Sequence, residues 1–401
     1  MPPQSLRPGW KMVKFGDVVK NANLVERDPE ANNIERVVGL EHIDPENLHI
    51  RRWNSMADGT SFTRKFVPGQ TLFGKRRAYQ RKVAYAEFEG ICSGDILTFE
   101  SKNRKVLLPE LLPFICQSDA FFDHALGTSA GSLSPRTSWN ALKEFEFPLP
   151  PLDEQKRIAE ILWAADEAVE SWLAAFNAFE ITKQQILSST FTPEKTSLNG
   201  WKIKRLKEVA TLQTGIAKGR KYAPGETLVE LPYLRVANVK DGYLDLSEIK
   251  TISVTLAEVE RFSVRQGDVL ITEGGDFDKV GRGTVWNGEI EDCLHQNHVF
   301  CVRPQNAVLL PEYLSFQTTS TYGKVYFLKC AKKTSNLASI NSTQVKNFPV
   351  LLTSIDEQEK LIVRIKCVEE KQAQIRQQIE KIKSLSTGYF ASLVNGGGTH
   401  V

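Results

Sequence analysis

The run Lys75-Arg76-Arg77-Ala78-Tyr79-Gln80-Arg81-Lys82 interleaves five cations with an aromatic ring. That is the chemistry a nucleic-acid surface needs, because Lys and Arg meet phosphates and an arginine fork fits guanine O6 and N7. Arg51 and Arg52, followed by Trp53, form a second, smaller cluster. Further along, Lys218, Arg220, Lys221 and Tyr222 repeat the mixture. A glycine-rich run from Glu273 to Gly283 carries Lys279 and Arg282, and Lys332 and Lys333 precede Thr334-Ser335-Asn336. Glycines let a loop backbone approach another surface closely. Any one of these clusters also fits a solvated charged face, so both readings stand at this level.

Other residues suggest reactions, and the spacing argues against each. Cys293, His295, His298 and Cys301 are zinc-type residues, but their spacing matches no standard knuckle. No metal is therefore expected in this chain. Asp276 and Asp278 lack a convincing lysine partner for nuclease chemistry. There is no Asn/Asp-Pro-Pro-aromatic tetrapeptide of an adenine methyltransferase and no glycine-rich cofactor loop after a first strand. G-x-x-x-x-G-K-[ST] and H-E-x-x-H are also missing. No catalytic residue is assigned.

The elements that must position the basic clusters occur twice. Gly9-Trp10 recurs as Gly200-Trp201, Val38–Ile43 as Leu234–Val239, and Gly69-Gln-Thr-Leu72 as Gly267-Asp-Val-Leu270. Leu107-Leu-Pro-Glu110 returns as Leu309-Leu-Pro-Glu312, and Asp153-Glu-Gln155 as Asp356-Glu-Gln358. The matches keep their order while their offset drifts, as loop insertions would make it drift, so the chain reads as a duplication.

Each half predicts a β-rich part and then a helix. Strands are expected at Arg36–Ile43, Gln70–Phe73 and Asp95–Phe99, and again at Tyr233–Val239, Asp268–Thr272 and Val299–Val302. Leu108–Phe121 and Leu310–Tyr322, each opened by a proline, read as helices. Beyond these, Asp153 and Asp356 are expected N-caps, with Glu359 completing a capping box. Steps of four and three from Ile158 pass through Leu162, Ala165, Val169, Trp172, Phe176, Phe179, Lys183, Ile186 and Thr190. The same steps from Leu361 pass through Ile365, Val368, Gln372, Ile375, Ile379, Ile382, Ser386, Tyr389 and Leu393. Sustained heptads of equivalent phase predict two long helices packed on each other as a coiled coil; the plainer alternative is two helices each packed on its own domain. The expected fold is α+β: two β-rich domains, 1–152 and 192–355, separated by two long coiled-coil helices, 153–191 and 356–395, with a flexible tail at 396–401 and internal pseudo-two-fold duplication.

The whole chain of 401 residues carries only +3, but its segments differ. Residues 1–152 have net charge +2, 153–191 −4, 192–355 +4 and the remainder +1. An acidic first helix is repelled by phosphate, so the β-rich parts are the candidates for nucleic acid and the helices for spacing or protein docking. Six scattered cysteines without a C-x-x-C pair, no signal-like start and no long apolar run together predict a cytoplasmic protein that does not enter a membrane.

Phe73-Gly-Lys-Arg-Arg77, Pro150-Pro-Leu-Asp-Glu-Gln-Lys-Arg-Ile158, Leu270-Ile-Thr-Glu-Gly-Gly-Asp276 and His295-Gln-Asn-His-Val-Phe300, in this order and on a repeated plan, resemble the specificity subunits of type I restriction-modification systems. The resemblance implies two target-recognition domains, each reading one half of a bipartite, asymmetric site in double-stranded DNA. It also implies that the two helices pack antiparallel, hold the domains apart and bind two modification (methyltransferase) subunits, with restriction subunits completing the complex. S-adenosylmethionine, ATP and Mg²⁺ would then belong to those partners, and this chain would be non-catalytic. Thr353-Ser354-Ile355 departs from the motif where the first half has Pro150-Pro151-Leu152, leaving the second helix start open. The competing readings are a self-contained DNA methyltransferase or nuclease with weak motifs, and a coiled-coil scaffold with no nucleic-acid role.

Overall fold

The computed structural model describes residues 6–197, 200–277, 279–334 and 337–394. The predicted tail at 396–401, Asp278, Ser335 and Asn336 lie outside these residues. Contacts divide the chain into two compact units, one built from residues up to Leu173 together with those from Gln377, the other from Ala174–Arg376. The division falls inside the two long helices, Leu152–Thr190 and Ile355–Val394, so each helix contributes to both units.

In the first unit a four-stranded antiparallel sheet runs in the order Val19–Asn21, Ile96–Ser101, Thr71–Gly74, Val83–Tyr85. The second unit repeats it with Ala210–Thr214, Val299–Pro304, Val269–Thr272 and Gly283–Val285. The register is conserved: Thr71 lies opposite Phe99, and Val269, 198 residues later, opposite Val302, 203 later. A two-stranded ribbon also recurs, Lys11–Lys14 on Glu146–Leu149 and Lys202–Arg205 on Pro349–Leu352, and delivers the chain to each long helix. The glycines of the Gly-Trp repeat precede these ribbons at φ of 81° and 91°, a conformation that costs glycine no steric penalty.

The sheet cores are aromatic in the first unit (Phe15, Phe73, Phe99, Phe121) and continue into Ile158, Ala159 and Leu162 of the first long helix and Phe390 and Leu393 of the second. The second unit's core likewise takes in Leu187, Leu361, Ile362 and Ile365. Burial of these apolar faces, rather than helix propensity, fixes the helices where they lie.

Several expected boundaries shift, and turn chemistry is the reason. The strand expected over Arg36–Ile43 stops at Val38 and passes into a 3-10 turn, Leu40–His42, where His42 Nδ1 accepts the Gly39 N–H at 2.9 Å. The strand expected over Tyr233–Val239 runs instead Val229–Leu234, and Asn238 Oδ1 closes the matching turn on the Arg235 N–H at 2.9 Å. Such side-chain bonds to the backbone compete with the ladder. The helices expected over Leu108–Phe121 and Leu310–Tyr322 are each split in two, at Ser118 and Ser320. Each serine takes an extended conformation, donates its hydroxyl back to the preceding helix and caps the next.

The expected caps Asp153 and Asp356 sit inside the first turns. The helices begin at Leu152 and Ile355, with Ser354 Oγ accepting the Glu357 N–H at 3.3 Å, so Glu359 forms no capping box. Along the seam, Leu162, Val169, Ile365, Ile375 and Ile379 are buried, whereas Phe176, Phe179 and Ile382 are half-buried. Trp172 is a correction: it is 39% exposed, whereas its neighbour Leu173 is half-buried. An unsupercoiled helix drifts by about 20° per heptad, enough to exchange neighbouring residues. Within the second unit the two helices run antiparallel, since Lys183 pairs with Glu369 at 2.6 Å, Glu180 with Gln372 at 3.0 Å, and Arg376 lies 4.8 Å from the Phe176 ring centre.

Candidate nucleic-acid interface

The strand Thr71–Gly74 delivers Lys75, Arg76 and Arg77 to a corner where three chain segments meet. Lys75 N–H donates to the Asp95 carbonyl (2.9 Å), the Lys75 carbonyl accepts from Thr137 N–H (3.0 Å), and Arg76, Arg136 and Ala130 are linked by single β-bridges. The Arg76 Nε–H donates to Ser134 Oγ at 2.6 Å, while Arg136 holds Asp95 through Nε (2.9 Å) and Nη2 (3.4 Å). Burial disfavours the Asp95 charge, but the Arg136 hydrogen bond, with Lys75 and Arg76 nearby, outweighs it and holds the carboxyl below its usual range. Burial, then Arg64, pulls the Lys75 ammonium below its ordinary value. Arg77, in the left-handed region at φ 54°, and Tyr79 are exposed beside this corner.

The second unit builds the same corner from different side chains. Glu273 N–H donates to the His298 carbonyl (2.9 Å) and the Glu273 carbonyl accepts from Ile340 N–H (2.8 Å), repeating the two Lys75 bonds. Gly274 pairs with Ser339, and Ser339 with Lys332. The glycine-rich loop and Lys332-Lys333, distant in sequence, thus share one three-stranded sheet, with both lysines exposed. Gly274 is required there, since a Cβ would lie 2.7 Å from the Ala338 carbonyl oxygen. His298 Nδ1 lies 2.5 Å from Glu273 Oε2, where the first unit has Asp95 and Lys75. Lys279 in the same loop pairs with Asp276, and Arg282 closes the loop by accepting the Thr272 N–H at its carbonyl, 2.8 Å.

Other expected contacts are engaged within the protein. Arg81 bonds to the Gln117 carbonyl (2.9 Å) and Asp119 (2.7 Å) and lies 4.5 Å from the Phe122 ring centre; Lys82 donates to the Leu40 carbonyl at 2.6 Å. These two brace the first unit. Arg51 pairs with Glu170 of the first long helix, and Arg52 with Asp44 at 2.5 Å, both on the surface. Arg220 and Tyr222 are tied to Glu258, whereas Lys218 and Lys221 are exposed. Sequence reasoning missed Arg136 and Ser134, because nothing in Ser132-Leu-Ser-Pro-Arg136 announces that the segment folds against Arg76.

Zinc-type residues in the second unit do not converge. Cys301 Sγ meets Asp268 (3.0 Å), His295 Nδ1 the Phe262 carbonyl (2.9 Å), and His298 turns to Glu273. Burial pushes the Cys293 thiol up to about 12, away from the thiolate a metal needs. Asp268 is instead clamped by Arg303 through Nε (2.7 Å) and Nη2 (2.6 Å). Among the described residues no group of three or more His, Cys, Asp or Glu side chains forms a metal-sized cluster. No helix among them is long and apolar enough to cross a membrane.

Two copies of one module, each presenting a polar corner on a shared backbone frame, define a tandem recognition protein. Residues 8–172 and 199–384 both match the type I restriction modification DNA specificity domain. The chain belongs to that family of DNA-recognition components. It is 27% identical over 322 residues to the EcoKI specificity subunit of Escherichia coli K12, covering 73% of this chain and 67% of that one. The StySPI specificity subunit of Salmonella potsdam is 23% identical over 373 residues, 88% of this chain and 75% of that protein. A putative MjaX specificity subunit of Methanocaldococcus jannaschii is matched over 46% of its length at 22% identity. The fold resembles a chain of a type I R-M system structure (TM-score 0.59, 22% identity, 98% and 99% of the two chains). It also resembles the S subunit from M. genitalium (TM-score 0.53, 12% identity, 100% and 99% covered).

Proposed function

We propose that this chain is the non-catalytic specificity subunit of a type I restriction-modification complex, each unit reading one half of a bipartite, asymmetric DNA site. The carrying observation is the pair of corners: one backbone frame, held by equivalent hydrogen bonds, presents Lys75, Arg76, Asp95 and Arg136 in one unit and Glu273, Gly274, His298 and Ser339 in the other. Different side chains on one frame suit the reading of different sequences. In this reading the long helices set the distance between the heads and dock two modification subunits. Exposed apolar side chains on them, Ile161, Trp172, Ile181, Val363 and Leu385, are available to such a docking surface. S-adenosylmethionine, ATP and Mg²⁺ then act on the modification and restriction subunits, in a cytoplasmic complex.

The test is co-purification with a methyltransferase subunit followed by mapping of methylated adenines. A two-part motif with a fixed unread spacer is expected. Methylation or cleavage by this chain alone would overturn the non-catalytic reading.

A further inference from the structure

Resting on the DNA-reading role above, we infer that Arg76 is a guanine-reading residue of the first unit, held in its reading pose by Ser134 and by an Asp95–Arg136 brace. Arg76 is fixed from two directions. Its Nε–H donates to Ser134 Oγ at 2.6 Å, and its Nη1 lies 3.6 Å from Asp95 Oδ2. Arg136 grips the same carboxylate through Nε at 2.9 Å and Nη2 at 3.4 Å, so Asp95 cannot swing away. The backbone is also pinned: Arg77, in the left-handed region, donates its N–H to the Pro135 carbonyl at 2.7 Å. The Nη2 of Arg76 meets no acceptor among the described residues, and the side chain remains 40% exposed. An arginine held at Nε, with Asp95 beside Nη1 and Nη2 open, is preorganised to present Nη2 and the second Nη1 hydrogen to the paired acceptors of a flat edge.

Two considerations separate guanine from phosphate. Arginine also forks onto phosphate, but a phosphate contact does not require the fork to be braced in one pose, since a mobile lysine supplies the charge. Asp95, anionic and 3.6 Å from Arg76 Nη1, repels the full charge of a phosphate more strongly than the partial charges on guanine O6 and N7. The second unit supports the assignment by contrast. The positions of Arg76 and Arg136 in the shared frame are held there by Gly274 and Ser339, so that corner carries no such fork. The inference therefore places a guanine in the half-site of the first unit, without requiring one at the equivalent place in the other.

The experiment uses the chain assembled with its modification subunit and reads methylated adenines genome-wide for wild type, Arg76→Lys, Arg76→Gln and Arg136→Ala. The expected wild-type motif contains a guanine in at least one half. In both Arg76 variants the preference at a single guanine should fall by roughly 5- to 150-fold, with the other half-site unchanged. Arg136→Ala should relax the same position partially, as a positioning residue would. Arg76→Lys keeps the charge, so its non-specific affinity and salt slope should match wild type. An unchanged motif in both Arg76 variants overturns the proposal. So does equal loss on all sequences in Arg76→Gln with a salt slope lower by about one, which marks a phosphate contact. A wild-type complex without any sequence-specific methylation would instead refute the DNA-reading role itself.

Discussion

Gln155 and Gln358, 203 residues apart, make the same three hydrogen bonds. Gln155 Oε1 accepts the Leu108 N–H (2.9 Å), and its Nε2 donates to the carbonyls of Val106 and Pro150 (both 2.8 Å). Gln358 Oε1 accepts the Leu310 N–H (3.0 Å), and its Nε2 donates to the carbonyls of Val308 (2.9 Å) and Thr353 (3.0 Å). Both side chains are almost fully buried. They bolt the first turn of each long helix to the loop that precedes the paired short helices, which explains why Asp-Glu-Gln occurs at both places. Replacing either glutamine by Leu should strand three backbone groups, at about 1–3 kcal/mol for each that stays buried without a partner. A drop in thermal midpoint of several degrees is expected for each variant. An unchanged midpoint would show that water or backbone movement rescues the groups.

The seam predicts a difference between two glutamates. Ile375 is buried, so Ile375→Glu places an unpaired charge in apolar surroundings and should abolish folding or cost about 3–5 kcal/mol. Phe176 is half-buried with the Arg376 guanidinium 4.8 Å from its ring, so Phe176→Glu finds a ready cation and should be much milder. Chemical denaturation of both variants checks the order, and equal losses would contradict the pairing described.

The repeat and the seam were legible because each rests on patterns within a short window. Heptad spacing reports a buried face, and ordered matches report duplication. Arg136, the breaks at Ser118 and Ser320, and the bracing roles of Arg81 and Lys82 were not legible. Each depends on a partner brought near by the fold: Asp95 lies 41 residues before Arg136, and the Leu40 carbonyl 42 before Lys82. Trp172 was misplaced for a subtler reason, since seven-residue stepping assumes supercoiling along the whole helix, and without it the buried face drifts toward neighbours such as half-buried Leu173. A basic cluster read from sequence therefore mixes reading residues with braces, and only the acceptors around each cation separate them.

His49 should make the first unit pH-sensitive. Its Nε2 lies 2.7 Å from Asp166 of the long helix and its Nδ1 2.9 Å from Glu87. The Asp166 hydrogen bond raises its pKa despite the opposing effect of burial, with Glu87 adding to the rise. A group whose folded pKa lies above its unfolded value of about 6.5 stabilises fully below that pH and loses the contribution as pH climbs through the folded pKa. The wild-type thermal midpoint should thus fall relative to His49→Gln as pH rises from 6 upward. Parallel curves for the two proteins would remove His49 from the account.

The docking role assigns work to exposed apolar residues. Val363 is 67% exposed and Ile181 60%, so glutamate at either should leave folding within about 0.5 kcal/mol. Co-purification with the modification subunit should nonetheless weaken if these faces carry the partner. Undiminished capture by the Ile181→Glu, Val363→Glu double variant would place the docking surface elsewhere.

The ruler role can be tested by lengthening both helices. One heptad inserted after Ala174 and another after Gln377, equivalent positions beside the division between the two compact units, preserves the phase of the seam. Seven residues add ~10 Å along a helix axis, against ~3.4 Å of DNA per base pair. The unread spacer should grow by up to ~3 base pairs, fewer if the helices run oblique to the duplex. Added DNA also rotates the half-sites by roughly a third of a turn, so activity is expected to fall while the motif shifts. A single insertion should misalign Lys183 with Glu369 or its counterpart contacts and prevent assembly. Methylated-adenine mapping of the double insertion decides the matter: an active complex with an unchanged spacer would show that the helices do not set the distance.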